Sequence, residues 1–493
     1  MRKAGNTEQA LLGPGCCWDL HTPQTETHTT MGCWNKLCGL KAGIGAGIAV
    51  AILGIILIPV GNNIIRETVT KESVIEPGTT AWDNWVSADA PVYRQFWLFD
   101  VQNPQDVVEN GSKPKLVEKG PYTYKTRYLP KENITANPED YTISFLLPAG
   151  AIFEPSMSVG SEEDSVTSLN LAVAGGYKLF PPWVLEAAIK LNNVSLFQRR
   201  TVREILWGYK DPILKGTLGL FFPYNGTYDG PYSVFTGKDD ISKVSIIDSW
   251  QGEKKVSFWN NTYCDMINGT DGSSFSPFLD KKKPLYFFSP DISRSVSAEY
   301  ERSLDLKGIE VYRFKLPTLT LASPAVNPDN QCFCTDYVVT KNCTLAGVLD
   351  ISSSRGQPVY ISLPHFLHGS PYLVEDVEGL GPSEEHHVTF LDVEPTTGFS
   401  LRFAKRLQVN MMYGPSKIIT VLKKVKDYTI LPIVWLNETA SLDDETADRF
   451  KKELLSRVDM LETVQFTLIG LGSAALVLCT VAHCLVSRNN KLV

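Results

Sequence analysis

The chain has 493 residues, of which 43% are hydrophobic and 20% are charged, and its formal net charge is -7. This composition is typical of a folded protein and excludes collagen-like, low-complexity and disordered classes. The acidic balance argues against a nucleic-acid partner, because nucleic-acid-binding proteins gather Lys and Arg on one surface.

The N-terminal residues 1–30 differ from the rest of the chain. They carry the pair Cys16-Cys17 and several Thr and Pro residues, without a periodic apolar pattern. Met31-Gly32-Cys33 has the form of a second start site. We therefore interpret 1–30 as an atypical N-terminal extension and 31–41 as a short cytosolic segment.

Two long apolar segments, 42–65 and 463–487, contain no Asp, Glu, Lys or Arg. Each is long enough to cross a hydrocarbon core of about 30 Å as a helix. The alternative for the first segment is a cleaved signal peptide, but signal peptides have shorter apolar runs that end at a small-residue cleavage site. The sequence predicts one membrane helix at each end.

The charges that flank these segments predict the orientation of the chain. Lys36 and Lys41 precede the first segment, and Arg488 and Lys491 follow the second. The positive-inside rule places both ends in the cytosol, including the tail 488–493. Residues 66–462 then form one extracellular domain.

Glycosylation signals agree with this topology. The pattern Asn-x-Ser/Thr, which marks N-glycosylation acceptors in secreted domains, occurs only between the two apolar segments. The predicted acceptors are Asn110, Asn133, Asn193, Asn225, Asn260, Asn268, Asn342 and Asn437.

Cysteines separate into two groups. Four lie in the outer region, an even number that suits two disulfides with three possible pairings: Cys264, Cys332, Cys334 and Cys343. Their spacing does not suit a zinc site, and we predict no metal. Cys33, Cys38 and Cys484 lie near the cytosolic ends of the apolar segments, where we predict palmitoylation; Cys479 is about 12 Å deeper.

Strand signals dominate the outer region and predict an antiparallel sheet or barrel within one large α+β domain. Tyr122, Tyr124, Thr126 and Tyr128 alternate with polar residues, as in a half-buried strand. Further predicted strands cover Val244–Trp250, Glu310–Leu316, Val359–Leu363, Val388–Val393, Phe399–Phe403 and Ile418–Leu422.

Three helices are predicted in this region. Residues 182–192 begin with Pro and show helical periodicity, and Ser195 is placed to cap a second helix over 196–207. On that second helix, Arg199, Arg200 and Arg203 would share one face. A third helix over 443–461 begins with acidic residues that suit a helix N-terminus.

Charge is distributed unevenly along the outer region. Segment 178–215 has seven basic residues against three acidic ones, a net charge of +4. The preceding segment 119–176 has four basic against seven acidic residues, a net charge of -3. Anionic ligands would be attracted to the first segment rather than to the whole protein, although an ordinary solvated helix face would show the same pattern.

No sequence motif of a known catalytic site is found. A nucleophile elbow, a phosphate loop and a dinucleotide fingerprint are all missing from the sequence. The only histidine clusters are His365 with His368 and His386 with His387, which we interpret as structural and solvated, respectively. A non-enzymatic protein without a cofactor is therefore expected, and a membrane-bound hydrolase using His365 is the alternative.

Several motifs resemble the class B scavenger receptor family, and within it the fatty acid translocase branch. The resemblance runs from Met31 almost to Val493. The motifs that carry it are Tyr93–Pro104 (YRQFWLFDVQNP), Gly120–Tyr124 (GPYTY), Leu206–Pro212 (LWGYKDP), Cys264–Thr270 (CDMINGT), Asn327–Cys334 (NPDNQCFC) and Phe403–Asn410 (FAKRLQVN).

The resemblance implies a β-barrel-like ectodomain with a lipid tunnel and a small helical cap, here at about 177–212. It implies a plasma-membrane receptor, passing through Golgi and endosomes, for long-chain fatty acids, oxidised low-density lipoprotein and phospholipids, with cytosolic signalling partners. Thrombospondin would bind the segment matching 119–176; an adhesion receptor with little lipid transport is the alternative. The expected lipid-binding residues of the cap are Lys190, Leu191, Arg199, Arg200 and Arg203.

The resemblance also implies the disulfides Cys264–Cys332 and Cys334–Cys343. Two departures from the family pattern stand out. The lysine pair of the family's cap corresponds here to Leu191 and Asn193, with Lys190 beside them. A third disulfide of the family is missing, because both of its positions are serine, at Ser293 and Ser354.

Overall fold

The computed structural model describes residues 36–87, 91–126, 130–452 and 456–489. The extension 1–30, Cys33, Tyr128 and the last residues of the tail lie outside this part of the chain. Within it the helices are α1 Lys36–Glu72, α2 Thr80–Val86, α3 Pro104–Asn110, α4 Leu171–Leu179, α5 Pro182–Asn192, α6 Val202–Trp207, α7 Ser352–Arg355, α8 Pro371–Glu375, α9 Glu384–His387, α10 Asp444–Phe450 and α11 Ser456–Asn489.

Strands make up most of the remaining regular structure. They are β1 Val92–Val101, β2 Leu116–Thr126, β3 Glu132–Asn137, β4 Thr142–Pro148, β5 Ala151–Phe153, β6 Ser165–Leu169, β7 Phe197–Thr201, β8 Tyr209–Lys210, β9 Thr217–Leu218, β10 Tyr228–Phe235, β11 Ile247–Trp250, β12 Leu285–Ser289, β13 Arg294–Leu306, β14 Ile309–Lys315, β15 Leu349–Asp350, β16 Val359–Ser362, β17 Phe390–Val393, β18 Ser400–Tyr413 and β19 Thr429–Ser441.

The chain forms two compact units. In the described residues, one consists of the chain up to Pro59 together with the chain from Glu462 onward, and the other is Val60–Leu461. The second unit contains all of the described strands, and the first contains most of the two long apolar helices.

An eleven-stranded antiparallel sheet forms the centre of the larger unit. Its main path runs β12-β13-β14-β17-β18-β19-β1-β2-β5, and β15 and β16 attach beside β18. A separate four-stranded sheet has the order β11-β10-β4-β3. The expected antiparallel α+β architecture is confirmed, but in the described residues the large sheet stays open, with β12 and β5 at its edges, and does not close into a barrel.

The largest hydrophobic core of the larger unit includes central strands of this sheet. Phe96, Leu98 and Val434 are fully buried there, against side chains from β6, β7, α4 and α5. In β19 every residue from Ile430 to Leu436 is buried, so the centre of the sheet is covered on both faces.

Most predicted elements are present. Each predicted strand overlaps an observed one except Ile418–Leu422, where the chain forms a 3-10 turn at Thr420–Leu422. The helix over 182–192 is confirmed as α5. The helix predicted over 443–461 begins as expected after Asp443, whose carboxylate accepts a hydrogen bond from the Thr446 amide at 2.7 Å, but it is observed as α10 followed by α11.

Both disulfides implied by the family resemblance are present, Cys264–Cys332 and Cys334–Cys343. At the site of the missing third disulfide, a noncovalent contact joins the same two chain segments. The Arg355 guanidinium, next to Ser354, donates hydrogen bonds of 3.0 Å to the backbone carbonyls of Pro290 and Asp291. Ser293 itself is buried.

In the smaller unit, α1 and α11 contain the predicted membrane segments. The segments Leu37–Glu72 and Met460–Arg488 contain 18-residue stretches with mean hydropathies of 2.5 and 2.1, and both segments are long enough to span a bilayer. The helices touch through small residues: a Cβ added to Gly47 would lie 2.7 Å from the Leu476 backbone nitrogen. Glycine thus permits the close backbone approach that stabilises helix pairs in membranes.

Polar contacts and cysteines also mark this helix pair. The Gln465 side chain donates a 2.9 Å hydrogen bond to the Leu57 carbonyl on the other helix. Cys38 and Cys484 are exposed, as acylation would require, whereas the Cys479 sulfur lies beside Gly43 on the partner helix. Palmitoylation of Cys38 and Cys484 stays a prediction.

Candidate functional site

The cap begins with two short helices joined by a tight turn. The Asn170 side chain accepts hydrogen bonds from the Ala172 and Val173 amides at 3.1 and 3.4 Å, which starts α4. Pro182 starts α5, where its missing N–H costs nothing. Asn193 ends α5 in the left-handed conformation with φ 49°.

One face of α5 is apolar but exposed. Trp183, Ala187 and Leu191 are spaced four residues apart and therefore lie on the same side of the helix. Trp183 is 68% exposed and Leu191 is 87% exposed, and Leu179, just before the turn, is 54% exposed. We call Leu179, Trp183, Ala187 and Leu191 the apolar stripe. Side chains of this size are seldom left in water together unless they bind something.

A cation lies at the end of this stripe. The Lys190 side chain is 69% exposed, and its ammonium lies 2.9 Å from the Glu186 carboxylate. Glu186 is held in place because its other oxygen accepts a 2.7 Å hydrogen bond from the Thr420 amide. Lys190 thus presents a positive charge next to Leu191, although the position matching the family's lysine is apolar.

The prediction of a helix over 196–207 was wrong, and with it the prediction that three arginines share one face. Residues 197–201 form β7, which pairs with β6, and only Val202–Trp207 are helical. The side chain of Thr201 caps α6, and Glu204 completes the capping box. The Thr201-x-x-Glu204 signal was present in the sequence; pairing with β6 overrides the helical tendency before it.

The three arginines consequently have different environments. Arg199 is exposed and forms no ion pair with any described residue. Arg200 lies on the opposite face of β7, where its guanidinium is 4.0 Å from the Tyr209 ring centre and 3.3 Å from the Glu204 carboxylate. Arg203 lies on α6. Of these three arginines, only Arg199 can therefore be reached by a ligand without breaking an existing contact.

Arg203 joins the cationic segment to the acidic segment. Its guanidinium lies 3.4 Å from the Glu163 carboxylate and 3.9 Å from that of Glu162. Its backbone amide also donates a 2.8 Å hydrogen bond to the Glu162 carbonyl. The two charge blocks, which are separate in the sequence, are paired at this point.

A second charged group crosses the inner face of the large sheet. Arg94, Glu438 and Lys405 are directly opposite one another on β1, β19 and β18. The Lys405 ammonium lies 3.2 Å from Glu438 and 2.6 Å from Asp291, and Arg94 pairs with Glu438. Together with Arg355, these residues form what we call the ion row, with three cations and two carboxylates.

Mutual attraction keeps the ion row charged. Burial alone would raise the pKa of Asp291, but the charges of Lys405 and Arg94 lower it below its usual value. The pKa of Glu438 is lowered in the same way, and that of Lys405 is raised by the two carboxylates despite burial. Burial and the nearby Asp291 raise the pKa of Tyr224 to about 12, so this ring stays neutral.

The ion row borders an apolar wall. Two residues further along the same strands, Phe96, Leu436 and Leu407 are directly opposite one another. Leu407 is half-buried, as are Lys405 and Arg94, so this part of the inner face keeps accessible surface. A charged row of net +1 beside the partly accessible Leu407, which packs next to the buried Phe96 and Leu436, has the chemistry that an amphiphile with an anionic head requires. Sequence reasoning missed this group because its members lie far apart in the chain.

The two histidine clusters are brought together by the fold. The rings of His365 and His387 stack with centres 4.4 Å apart. His365 Nε2 lies 2.6 Å from Glu118, and its Nδ1 accepts a 3.1 Å hydrogen bond from the Gly381 amide. Burial and the neighbouring His365 lower the pKa of His387 to about 4. Both rings are thus engaged in packing and hydrogen bonding. The interpretation as solvated was right for the exposed His386 and wrong for the buried His387.

Seven of the eight predicted glycosylation acceptors are exposed. The exception is Asn437, which lies half-buried in β19 at the centre of the large sheet. Its side-chain amide donates a 3.1 Å hydrogen bond to Gln95. We therefore retain the other seven positions as predicted acceptors and expect Asn437 to stay unmodified.

Comparison with known proteins agrees with this architecture. The pattern of the CD36 family matches residues 45–483. Scavenger receptor class B member 1 of Rattus norvegicus is 33% identical over 467 residues, which cover 90% of each chain. Lysosome membrane protein 2 of Homo sapiens is 34% identical over 432 residues, covering 83% of this chain and 87% of that protein.

Proposed function

Because this chain belongs to the CD36 family of class B scavenger receptors, we propose that it is a plasma-membrane receptor for long-chain fatty acids, oxidised low-density lipoprotein and phospholipids. It would facilitate fatty acid uptake through an ectodomain tunnel and work by binding, without turnover or a cofactor. The observation that carries this proposal is the exposed apolar stripe of α5, which ends at Lys190 and Leu191.

The cap supports the first step of such a role. An acyl chain or the surface of a lipid particle would cover the apolar stripe, and an anionic head would pair with Lys190 or Arg199. Covering Trp183 and Leu191 removes large apolar side chains from water, at roughly 25 cal/mol for each Å². Arg199 adds charge without losing an existing ion pair.

The inner face of the sheet supports the second step. In this proposal, the acyl chain passes to the apolar wall at its accessible residue, Leu407, and its carboxylate lies near Arg94 and Lys405. Each buried methylene group contributes about 0.8 kcal/mol, so long chains are favoured over short ones.

The proposal is tested by uptake of labelled oleate in cells that express the full chain at matched surface level. We expect wild type to raise uptake above untransfected cells, and the double variant Lys190→Ser with Arg199→Ser to lose most of that gain. A control variant, Lys238→Ser with Lys254→Ser, removes the same charge from exposed positions outside the cap. Equal uptake by all three chains would contradict capture at the cap.

A second candidate is an adhesion receptor that binds thrombospondin through the acidic segment 119–176. Its support is the exposure of Glu139, Asp140 and Glu163. Because Arg203 pairs with Glu162 and Glu163, the cap variant above leaves Arg203 unchanged. If that variant loses oleate uptake but retains thrombospondin binding, the two functions use separate surfaces; if wild type binds thrombospondin without raising uptake, adhesion takes first place.

A further inference from the structure

The outer face of the large sheet carries a row of charged residues that neither the cap nor the ion row uses. Arg302, Arg313, Asp392 and Arg402 are directly opposite one another on the adjacent strands β13, β14, β17 and β18. Residues in such pairs point to the same face. With strands about 4.8 Å apart, the row is about 14 Å long.

A single carboxylate serves two of these cations. The Arg313 guanidinium forms two hydrogen bonds with Asp392, at 2.7 and 2.8 Å, and Arg402 donates to the same carboxylate. Asp392 is fully buried beneath them. Arg302 lies opposite Arg313, and like charges in this position destabilise a sheet. Asp392 accounts for Arg313 and Arg402, whereas Arg302 has, among the described residues, only the exposed contact with Glu301 at 3.9 Å.

Neighbouring side chains extend the positive charge. Lys315 lies two residues beyond Arg313 on β14, and Arg406 lies four residues beyond Arg402 on β18. The Arg406 guanidinium lies 5.6 Å from the Phe390 ring centre, and its buried Nε has no hydrogen-bond acceptor among the described residues. Five basic residues thus oppose three acidic ones, a local net charge of +2 (basic Arg302, Arg313, Lys315, Arg402 and Arg406; acidic Glu299, Glu301 and Asp392).

This face contrasts with the domain around it. Residues 66–461 contain 41 basic and 50 acidic residues, a net charge of -9. Arg302, Lys315 and Arg402 are nevertheless accessible, with 61%, 42% and 30% of their side chains exposed. In the described chain, no large apolar side chain is exposed between residues 287 and 318 or between 339 and 417.

We propose that this face, which we call the arginine row, binds a sulfated polysaccharide chain. A planar guanidinium can donate two parallel hydrogen bonds to two oxygens of one sulfate group. A linear sulfated polymer presents such groups at intervals along its length. A lipid surface fits less well, because the arginine row is charged and has no exposed apolar side chain to insert among the described residues. In this it is the opposite of the apolar stripe.

The test is binding of the purified full-length chain, in detergent, to immobilised heparin at about 0.15 M NaCl, the physiological ionic strength. The test variant is Arg302→Ser with Lys315→Ser, two exposed residues that both pair with Glu301. The control is again Lys238→Ser with Lys254→Ser. We expect the test variant to bind about fivefold more weakly, with a shallower salt dependence, and the control to match wild type.

Two results would overturn the proposal. One is that heparin binding is missing or not specific to this face: wild type fails to bind, or the test and control variants lose binding equally. The other is a test variant that keeps heparin binding but loses binding to phosphatidylserine vesicles, which would assign the surface to a membrane. Chemically desulfated heparin should not bind wild type. Because the variant leaves the cap intact, its outcome is independent of oleate uptake.

Discussion

The cap and the ion row both contain lysine and arginine, but their environments differ. In the cap, Lys190 and Arg199 are exposed, and neither lies in a network of several charges. In the ion row, Lys405 contacts two carboxylates on the inner face of the large sheet. A buried charge that loses its partner keeps its desolvation cost, whereas an exposed charge is solvated by water. Charges of the ion row should therefore contribute more to the stability of the fold than the exposed charges of the cap.

The largest effect is expected from Lys405→Met, which leaves Asp291 and Glu438 without their shared cation. Breaking a fully buried ion pair costs about 3–5 kcal/mol of unfolding free energy, and the half-buried Lys405 should come near the lower end of that range. Thermal unfolding of the full chain in detergent measures the loss, with the exposed Lys254→Met as the matched control. A shift no larger than that of the control would show that the ion row does not stabilise the domain.

A smaller loss is expected from Arg355→Ala, which removes the two hydrogen bonds to the Pro290 and Asp291 carbonyls. A hydrogen bond from a charged donor contributes about 1.5–3 kcal/mol when buried. Because Arg355 is half-buried and both of these bonds come from one nitrogen, the total loss should be only about 2–3 kcal/mol. If Arg355 replaces the missing crosslink, then adding Ser293→Cys and Ser354→Cys should restore stability in oxidising conditions. If free-thiol labelling shows that no disulfide forms between these two positions, they are too far apart to match the family's third disulfide.

Acidification tests a third group, the stacked histidines, in which burial keeps a ring neutral. The pKa of His387 is about 4 in the folded chain, against an ordinary value of 6.5, so the unfolded state binds the extra proton first. Stability should fall as pH drops from 6.5 towards 4, by about 1–2 kcal/mol at roughly pH 5, because solvent screens part of the shift. The lowered pKa values of Asp291 and Glu438 give losses only at more acidic pH. The variant His387→Gln should flatten this decline, and His386→Gln, at an exposed position, should not.

The smallest change in stability is expected in the cap, where substitutions should have the largest effect on ligand binding. Lys190→Ser with Arg199→Ser should alter the unfolding free energy by less than about 0.5 kcal/mol, because both side chains are exposed. A loss comparable to that of Lys405→Met would mean that the cap cations hold the fold, and the contrast with the ion row would fail.

Much of the fold was predictable from local patterns. The apolar segments, the alternating strands and α5 follow from short stretches of sequence, and the family resemblance supplied the disulfide pairs. The segment at Arg199 was not predictable in this way, because its pairing with β6 depends on residues about thirty positions earlier. The ion row and the arginine row were missed for the same reason: each is formed by cross-strand register, which single-sequence periodicity does not contain.

The central claim is that an acyl chain contacts the apolar stripe and the apolar wall beside the ion row. The most direct measurement is photolabelling of the full-length chain with a diazirine-bearing long-chain fatty acid, followed by mass spectrometry of its peptides. The account predicts label on α5, around Trp183 and Leu191, and on β18 around Leu407, all displaced by excess unlabelled oleate. Label confined to other surfaces, or undiminished by oleate, would contradict it.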